Sequence, residues 1–206
     1  QAGSSRVDNR PNVDHYRVDL ADPDQVTRVI GKVLRRYHTI DVLINNAAQR
    51  IFKPFDEFDD NEIRRFITIN FETPVVMART IYPSMRKNGY GRIINISSFS
   101  AFKGYGLGTI YCSTKAALNA FTEALARELA QDEGVTVNSI CPDSFSTVDG
   151  LDTPGHDRTV KRILHAIDTI IDSNRNGSII AIAQTRHILV NTLHTLKRHL
   201  VWLLRQ

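Results

Sequence analysis

The sequence predicts an α/β fold on a mostly parallel sheet, from three observations. Segments of strand character alternate with segments of helical period through nearly all 206 residues, as crossover connections between parallel strands require. The run Val42-Leu43-Ile44 is apolar in succession rather than alternating, which is the pattern of a strand covered on both faces, and GRIINISS reads as a second buried strand with a polar end. At 206 residues with 42% hydrophobic and 23% charged side chains, the chain is expected to form a single domain, 1–206, that buries its core without disulfides or metal.

Each element has its own signal. His15 to Leu20 reads as a strand end. Asp22 before Pro23, with Gln25 three residues on, starts a helix: a capping carboxylate, a proline in the first turn and a capping-box partner. Val26, Ile30, Val33 and Leu34 give that helix one apolar side, and it ends near His38. The strand IDVLINNAA follows. A loop carrying Phe52, Phe55 and Phe58 leads to an acidic helix start at Asp59 and Asp60, then to a long helix through Asn70 toward Met85. After GRIINISS, residues 111–130 form a helix whose Ala116, Ala117, Ala120, Ala124 and Ala126 allow another helix to approach closely. VTVNSI is a strand, 142–156 an irregular segment, and 160–171 a helix. A turn at Asn176-Gly177, the strand SIIAIA and an amphipathic helix over 185–206 complete the chain.

Composition excludes several classes of function. Cys112 and Cys141 lack any CxxC or CxxH neighbour, so a metal site is not expected and a reducing, cytoplasmic setting is. No window of 18 apolar residues suggests a transmembrane helix, and no leader pattern precedes the fold. The chain opens on Gln1 and reads as a fragment or processed product. Its net charge of +4 is confined to the end, where no carboxylate follows Asp172 while Arg175, Arg186, Lys197, Arg198 and Arg205 do. That is a local basic helix, not the broad field that binds nucleic acid.

The chemistry-bearing residues begin with Tyr111 and Lys115, four apart and therefore on one helix face. A phenol titrating at about 10 needs roughly 4 kcal/mol to become an acid-base catalyst near pH 7. One ammonium about 4 Å away, at an effective dielectric of about 20, supplies that order of energy. Taken alone, the same spacing also occurs on an ordinary solvated helix. Ser98, thirteen residues earlier, lies at the polar end of a strand, where parallel sheets bind ligands, and its hydroxyl can hold a carbonyl oxygen beside the phenol. Asn70 sits mid-helix, where asparagine competes with the backbone for hydrogen bonds.

Asp19-Leu20, NNAA over Asn45–Ala48, the helix Asn70, ISS ending at Ser98, YCSTK over Tyr111–Lys115 and a proline turn after VTVNSIC occur in an order that resembles the short-chain dehydrogenases/reductases, from about Asp19 to Thr147. The resemblance implies a Rossmann-like, doubly wound sheet and hydride transfer between NAD or NADP and a small carbonyl compound or secondary alcohol, lipophilic to judge from the C-terminal region. It implies that Tyr111 is the general acid/base, that Lys115 lowers its pKa and holds the nicotinamide ribose, that Ser98 positions the substrate oxygen and that Asn70 holds a relay water. For the cofactor it implies Asp19 and Leu20 near the adenine, Asn45 and Ala47 along the channel, and Pro142 and Thr147 around the nicotinamide. It further implies a homo-oligomer built on the Asn70 and Tyr111 helices and a substrate-loop region over 142–172. The apolar stripe Leu189, Leu193, Leu196, Leu200 and Leu203, with Trp202 and the basic residues near it, reads as a helix packed on its own domain or on a second subunit, with peripheral membrane contact as the alternative. Phe99, Phe102 and Tyr105 suggest an apolar pocket.

Three departures stand out. Ala48 replaces the glycine of the family's NNAG, Asp143 replaces a glycine after Pro142, and the glycine-rich TGxxxGxG turn is missing, so an N-terminally truncated fold is expected. In the family's strand order 3-2-1-4-5-6-7, this leaves a gap between the strand near residue 18 and that near residue 43, or forces the two to pair. The contrasting expectation is an inactive fragment that serves as a binding or oligomerisation partner.

Overall fold

The computed structural model describes residues 14–131, 134–143 and 156–182. Four strands, β1 (Val42–Asn45), β2 (Gly91–Ile96), β3 (Val135–Pro142) and β4 (Ile179–Ile182), form one sheet in the order β1-β2-β3-β4. All three pairings are parallel, with Leu43 opposite Ile93, Ile93 opposite Val137 and Ile140 opposite Ile180. Helices α1 (Pro23–Tyr37), α2 (Asp60–Ile67), α3 (Thr73–Asn88), α4 (Thr109–Glu128) and α5 (His156–Ile171) connect and cover them.

Both faces of the sheet are covered, so the fold is doubly wound. On one face Val26 and Ile30 of α1, Ile81 and Met85 of α3 and Ala126 of α4 pack on Leu43, Ile93 and Val137. On the other, Ala166 and Ile170 of α5 pack on Ile94, Ile96, Ile140 and Ile180. Adjacent residues Ile93 and Ile94 thus serve opposite cores, as the two-residue period of a strand dictates. Since α3 and α4 lie on one face and α5 on the other while the strand order keeps advancing, the β3–α5–β4 crossover has the opposite hand from the two before it. Helix periodicity carries no information on that choice, which sets it apart from the usual right-handed rule.

The helix starts follow their sequence signals. Asp22 accepts from the Gln25 backbone N–H at 2.9 Å with Pro23 at the first helical position. Asp59 and Glu62 form a reciprocal capping box. Between α2 and α3 the chain does not break but widens into a π turn, Thr68–Glu72, and Asn70 lies within it.

Two expectations are corrected. His15 to Leu20 forms no strand; Val18 and Leu20 lie against the α1–α3 core, and the Leu20 carbonyl accepts from Thr73 Oγ1 at 2.7 Å. A strand exists only through its ladder, and among the described residues none pairs with this segment or with the outer edge of β1. The sheet therefore has neither the expected gap nor a direct pairing of the two segments. Correspondingly, Ile44 is 42% exposed, so the second face of β1 is covered at Val42, which packs against the α5 cluster, and open at Ile44. No helix of the described residues is long and apolar enough to cross a membrane. The predicted helix 185–206 lies outside the described residues.

Candidate active site

Because the sheet is parallel, the segments after β1, β2 and the end of β3 converge on one edge, where a ligand meets backbone ends rather than a closed sheet face. Ser98 follows β2 and caps a short turn, Phe99–Ala101, its Oγ accepting from the Ser100 N–H at 3.1 Å and bonding Ser100 Oγ at 2.9 Å. Tyr111 lies in the first turn of α4, close enough to Ser98 for that hydroxyl to act on the phenol. Its ring is held edge-on by Phe52 and Phe66, at centroid distances of 5.8 and 6.5 Å. One turn further on, Lys115 is buried, 3% exposed, with Nζ 5.8 Å from the Tyr111 ring centroid and donating to the Ile96 carbonyl at 2.8 Å.

The electrostatics differ from the expected ones. Burial pushes the Tyr111 phenol above its ordinary range, and the groups that oppose the rise are Ser98, by its hydroxyl, and Arg50, by its charge. Burial lowers Lys115 itself to about 8, and its ammonium is turned to the Ile96 carbonyl. The phenol is therefore a neutral acid at pH 7, whose proton is available to an oxygen that becomes an alkoxide.

Asn70 is 1% exposed and both ends of its amide are used by the protein. Oδ1 accepts from the Gln49 N–H at 2.7 Å, and Nδ2 donates to the Gln49 carbonyl at 2.9 Å and to Thr114 Oγ1 at 3.3 Å. Its side chain fastens the segment after β1 to the helix that carries Tyr111. Asn45 likewise turns inward: it donates to Asn95 Oδ1 at 2.8 Å, and Asn95 donates to Thr122 Oγ1 at 2.9 Å. This buried chain ties the ends of β1 and β2 to α4, and every member is satisfied.

Beside Ser98 and Tyr111 opens a cavity of about 630 Å³ lined by Arg50, Phe52, Phe99, Tyr105, Leu107 and Asp143, among others. The Lys53 N–H donates to the Leu107 carbonyl at 3.2 Å and joins its two walls. Of the aromatic residues expected in a pocket, Phe99 and Tyr105 line it, while Phe102 packs behind Phe99 at 5.6 Å.

Residues 3–151 match the family model described as short chain dehydrogenase. The chain belongs to the short-chain dehydrogenase family. It is 32% identical over 128 residues to D-beta-hydroxybutyrate dehydrogenase of Rhizobium meliloti (strain 1021), a match covering 62% of this chain and 49% of that protein. The chain thus spans about half the length of several curated relatives it matches. Its structure is similar to 4-hydroxyisoleucine dehydrogenase complexed with NADH and succinate (TM-score 0.71, 25% identity, 80% of this chain and 77% of that one). It is also similar to a blue fluorescent protein from a metagenomic library in complex with NADPH (TM-score 0.69, 28% identity, 80% and 72%).

Within this short-chain dehydrogenase fold the remaining predicted residues fall at different distances from the trio. Pro142 ends β3 at the same sheet edge, and the Asp143 N–H donates to the Ile182 carbonyl at 2.8 Å. Ala47 is exposed just beyond β1. Asp19 is half-exposed and held by Arg65 at 3.2 and 3.3 Å; the Ala21 N–H, then Arg65, lower its pKa. Leu20 packs on the core. Thr147 lies outside the described residues. Sequence reasoning missed Arg50, Phe52 and Thr114. For Thr114 a signal was present: it lies between Tyr111 and Lys115 and donates to the Tyr111 carbonyl at 2.9 Å.

Proposed function

We propose that this chain carries the catalytic and substrate-binding part of an oxidoreductase that interconverts a carbonyl compound and a secondary alcohol with a nicotinamide dinucleotide, NAD or NADP. One observation carries the reading: the Tyr111 phenol lies close enough to the Ser98 hydroxyl to be influenced by it, next to an aromatic cavity whose wall residue Phe52 packs on the Tyr111 ring, with the buried Lys115 ammonium one helical turn away. When bound, the dinucleotide supplies the hydride. The donor set suits its nicotinamide end, because an ammonium has three N–H donors and the Ile96 carbonyl takes one, leaving others for ribose hydroxyls. Exposed Ala47, small and just after β1, leaves room for the same group. Before residue 89 the only glycines are Gly3 and Gly31, so the described residues contribute the nicotinamide end and not a glycine cradle for pyrophosphate.

In carbonyl reduction, Ser98 Oγ donates to the substrate oxygen, and the Tyr111 phenol gives that oxygen its proton as the hydride reaches the carbon. In alcohol oxidation the proton returns. Lys115 keeps a positive charge near the phenolate that each reductive turnover leaves. Serine-to-alanine exchange at 98 tests this reading: turnover of reduced nicotinamide with a panel of aryl and alkyl ketones is expected to fall about 100-fold in Ser98→Ala. Ketone reduction that survives both Ser98→Ala and Tyr111→Phe would overturn it.

A homo-oligomer is part of the same proposal. Ala116, Ala120 and Ala124 form an exposed small-residue row on α4, and a groove beside it is lined by Val75, Tyr82, Phe121 and Leu125. Small side chains let helix backbones approach, so Ala124→Arg is expected to shift the chain to a smaller species in light scattering. An unchanged mass distribution would count against this surface.

A further inference from the structure

The cavity is not a plain apolar slot. Its walls are aromatic, through Phe52, Phe99 and Tyr105, yet among the described residues two cations, Arg50 and Lys103, and one acidic residue, Asp143, line it. Neither Arg50 nor Lys103 forms an ion pair among the described residues. The Arg50 guanidinium stacks over the Phe52 ring, 4.9 Å from its centroid. Phe52 in turn meets the Tyr111 ring at 5.8 Å. A stacked guanidinium keeps its in-plane N–H donors free for a planar, bidentate acceptor, and a carboxylate is the acceptor that matches. Arg50 is also close enough to the catalytic group for its charge to act on the Tyr111 phenol. A cation unpaired beside a reacting oxygen, on an aromatic shelf, is placed to hold one end of a molecule whose other end reacts.

We infer that the substrate of this site is an oxo acid or hydroxy acid: a carbonyl or alcohol carbon at Ser98 and Tyr111, an apolar segment against Phe99 and Tyr105, and a carboxylate on Arg50 with support from Lys103. This inference rests on the oxidoreductase reading above and refines it from a merely lipophilic substrate to an amphiphilic anion.

The test compares 4-oxo-4-phenylbutanoate with its methyl ester, which keeps the ketone and ring and removes the charge. Binding to the 206-residue chain is measured by calorimetry, and turnover with reduced nicotinamide separately. The acid is expected to bind about tenfold more tightly than the ester, a preference that Arg50→Gln reduces to near parity and that weakens as salt is raised. Lys103→Gln is expected to reduce the preference by a smaller factor. Equal binding of acid and ester, binding of neither, or a preference that survives both substitutions would overturn the inference. If Tyr111-dependent reduction of the ester persists in that case, the oxidoreductase reading stands alone. If Arg50-dependent binding of the acid is found without Tyr111-dependent turnover, the anion site stands and the catalytic reading fails.

Discussion

Tyr111→Phe is expected to lower ketone reduction by 100-fold or more while leaving the melting temperature within a few degrees of the parent. The ring is what packs: it meets Phe52 and Phe66 edge-on, and phenylalanine repeats both contacts. The lost oxygen removes a polar interaction with Ser98, worth at most about 1 kcal/mol, and also removes the burial of a polar group. The two terms nearly cancel in stability. They do not cancel in rate, since a general acid positioned on the reacting oxygen contributes roughly 100- to 10,000-fold. The pH profile offers a second readout. Burial holds the phenol protonated beyond its ordinary range, so reduction by the parent is expected to show no loss through neutral pH from this group. Near-normal turnover in Tyr111→Phe, or loss of activity only through unfolding, would remove Tyr111 from the catalytic role.

What the sequence made legible follows from how locally each feature is determined. Ser98, Tyr111 and Lys115 lie on one strand-loop-helix unit, so their spacing alone brings them together. The capping signals at Asp22 and Asp59 act within four residues, and both helices start where those signals place them. Features that depend on a distant partner were not legible. His15 to Leu20 has strand composition, but composition does not supply a neighbour to pair with. Ile44 sits in an apolar run, yet its exposure depends on what lies across the edge of β1. The motif suggests a relay water for Asn70 and the cofactor channel for Asn45, but nothing local reveals that their amides bond Gln49, Thr114 and Asn95, contacts that span 21, 44 and 50 residues. Arg50 follows an NNAA motif that says nothing of charge, and its place in the cavity depends on the loop around Tyr105.

Lys115→Met is expected to make the protein more stable at pH 7 while reducing activity, which sets the cost of the site apart from its use. The ammonium is 3% exposed, and burial lowers its pKa from the ordinary lysine value of 10.5 to about 8. Below pH 8 the native and unfolded chains both carry the proton, and the native state bears the full desolvation cost, on the order of 3 kcal/mol. Between about 8 and 10.5 the native state releases the proton while the unfolded chain keeps it, so stability contributed by this group rises with pH over that window. Above it the penalty is gone. Methionine has nearly the length of the lysine stem and carries no charge, but it leaves the Ile96 carbonyl without its 2.8 Å donor, a loss of about 1 kcal/mol. The net gain at pH 7 is therefore about 2 kcal/mol, or roughly 4 to 8 °C for a chain of this size. Denaturant titrations of parent and variant at pH 7 and pH 10, compared as a difference so that other titrating groups cancel, should show the advantage of Lys115→Met shrinking toward zero or reversing at the higher pH. A variant less stable than the parent at pH 7, or an advantage of equal size at both, would mean that the buried ammonium is fully compensated by its surroundings.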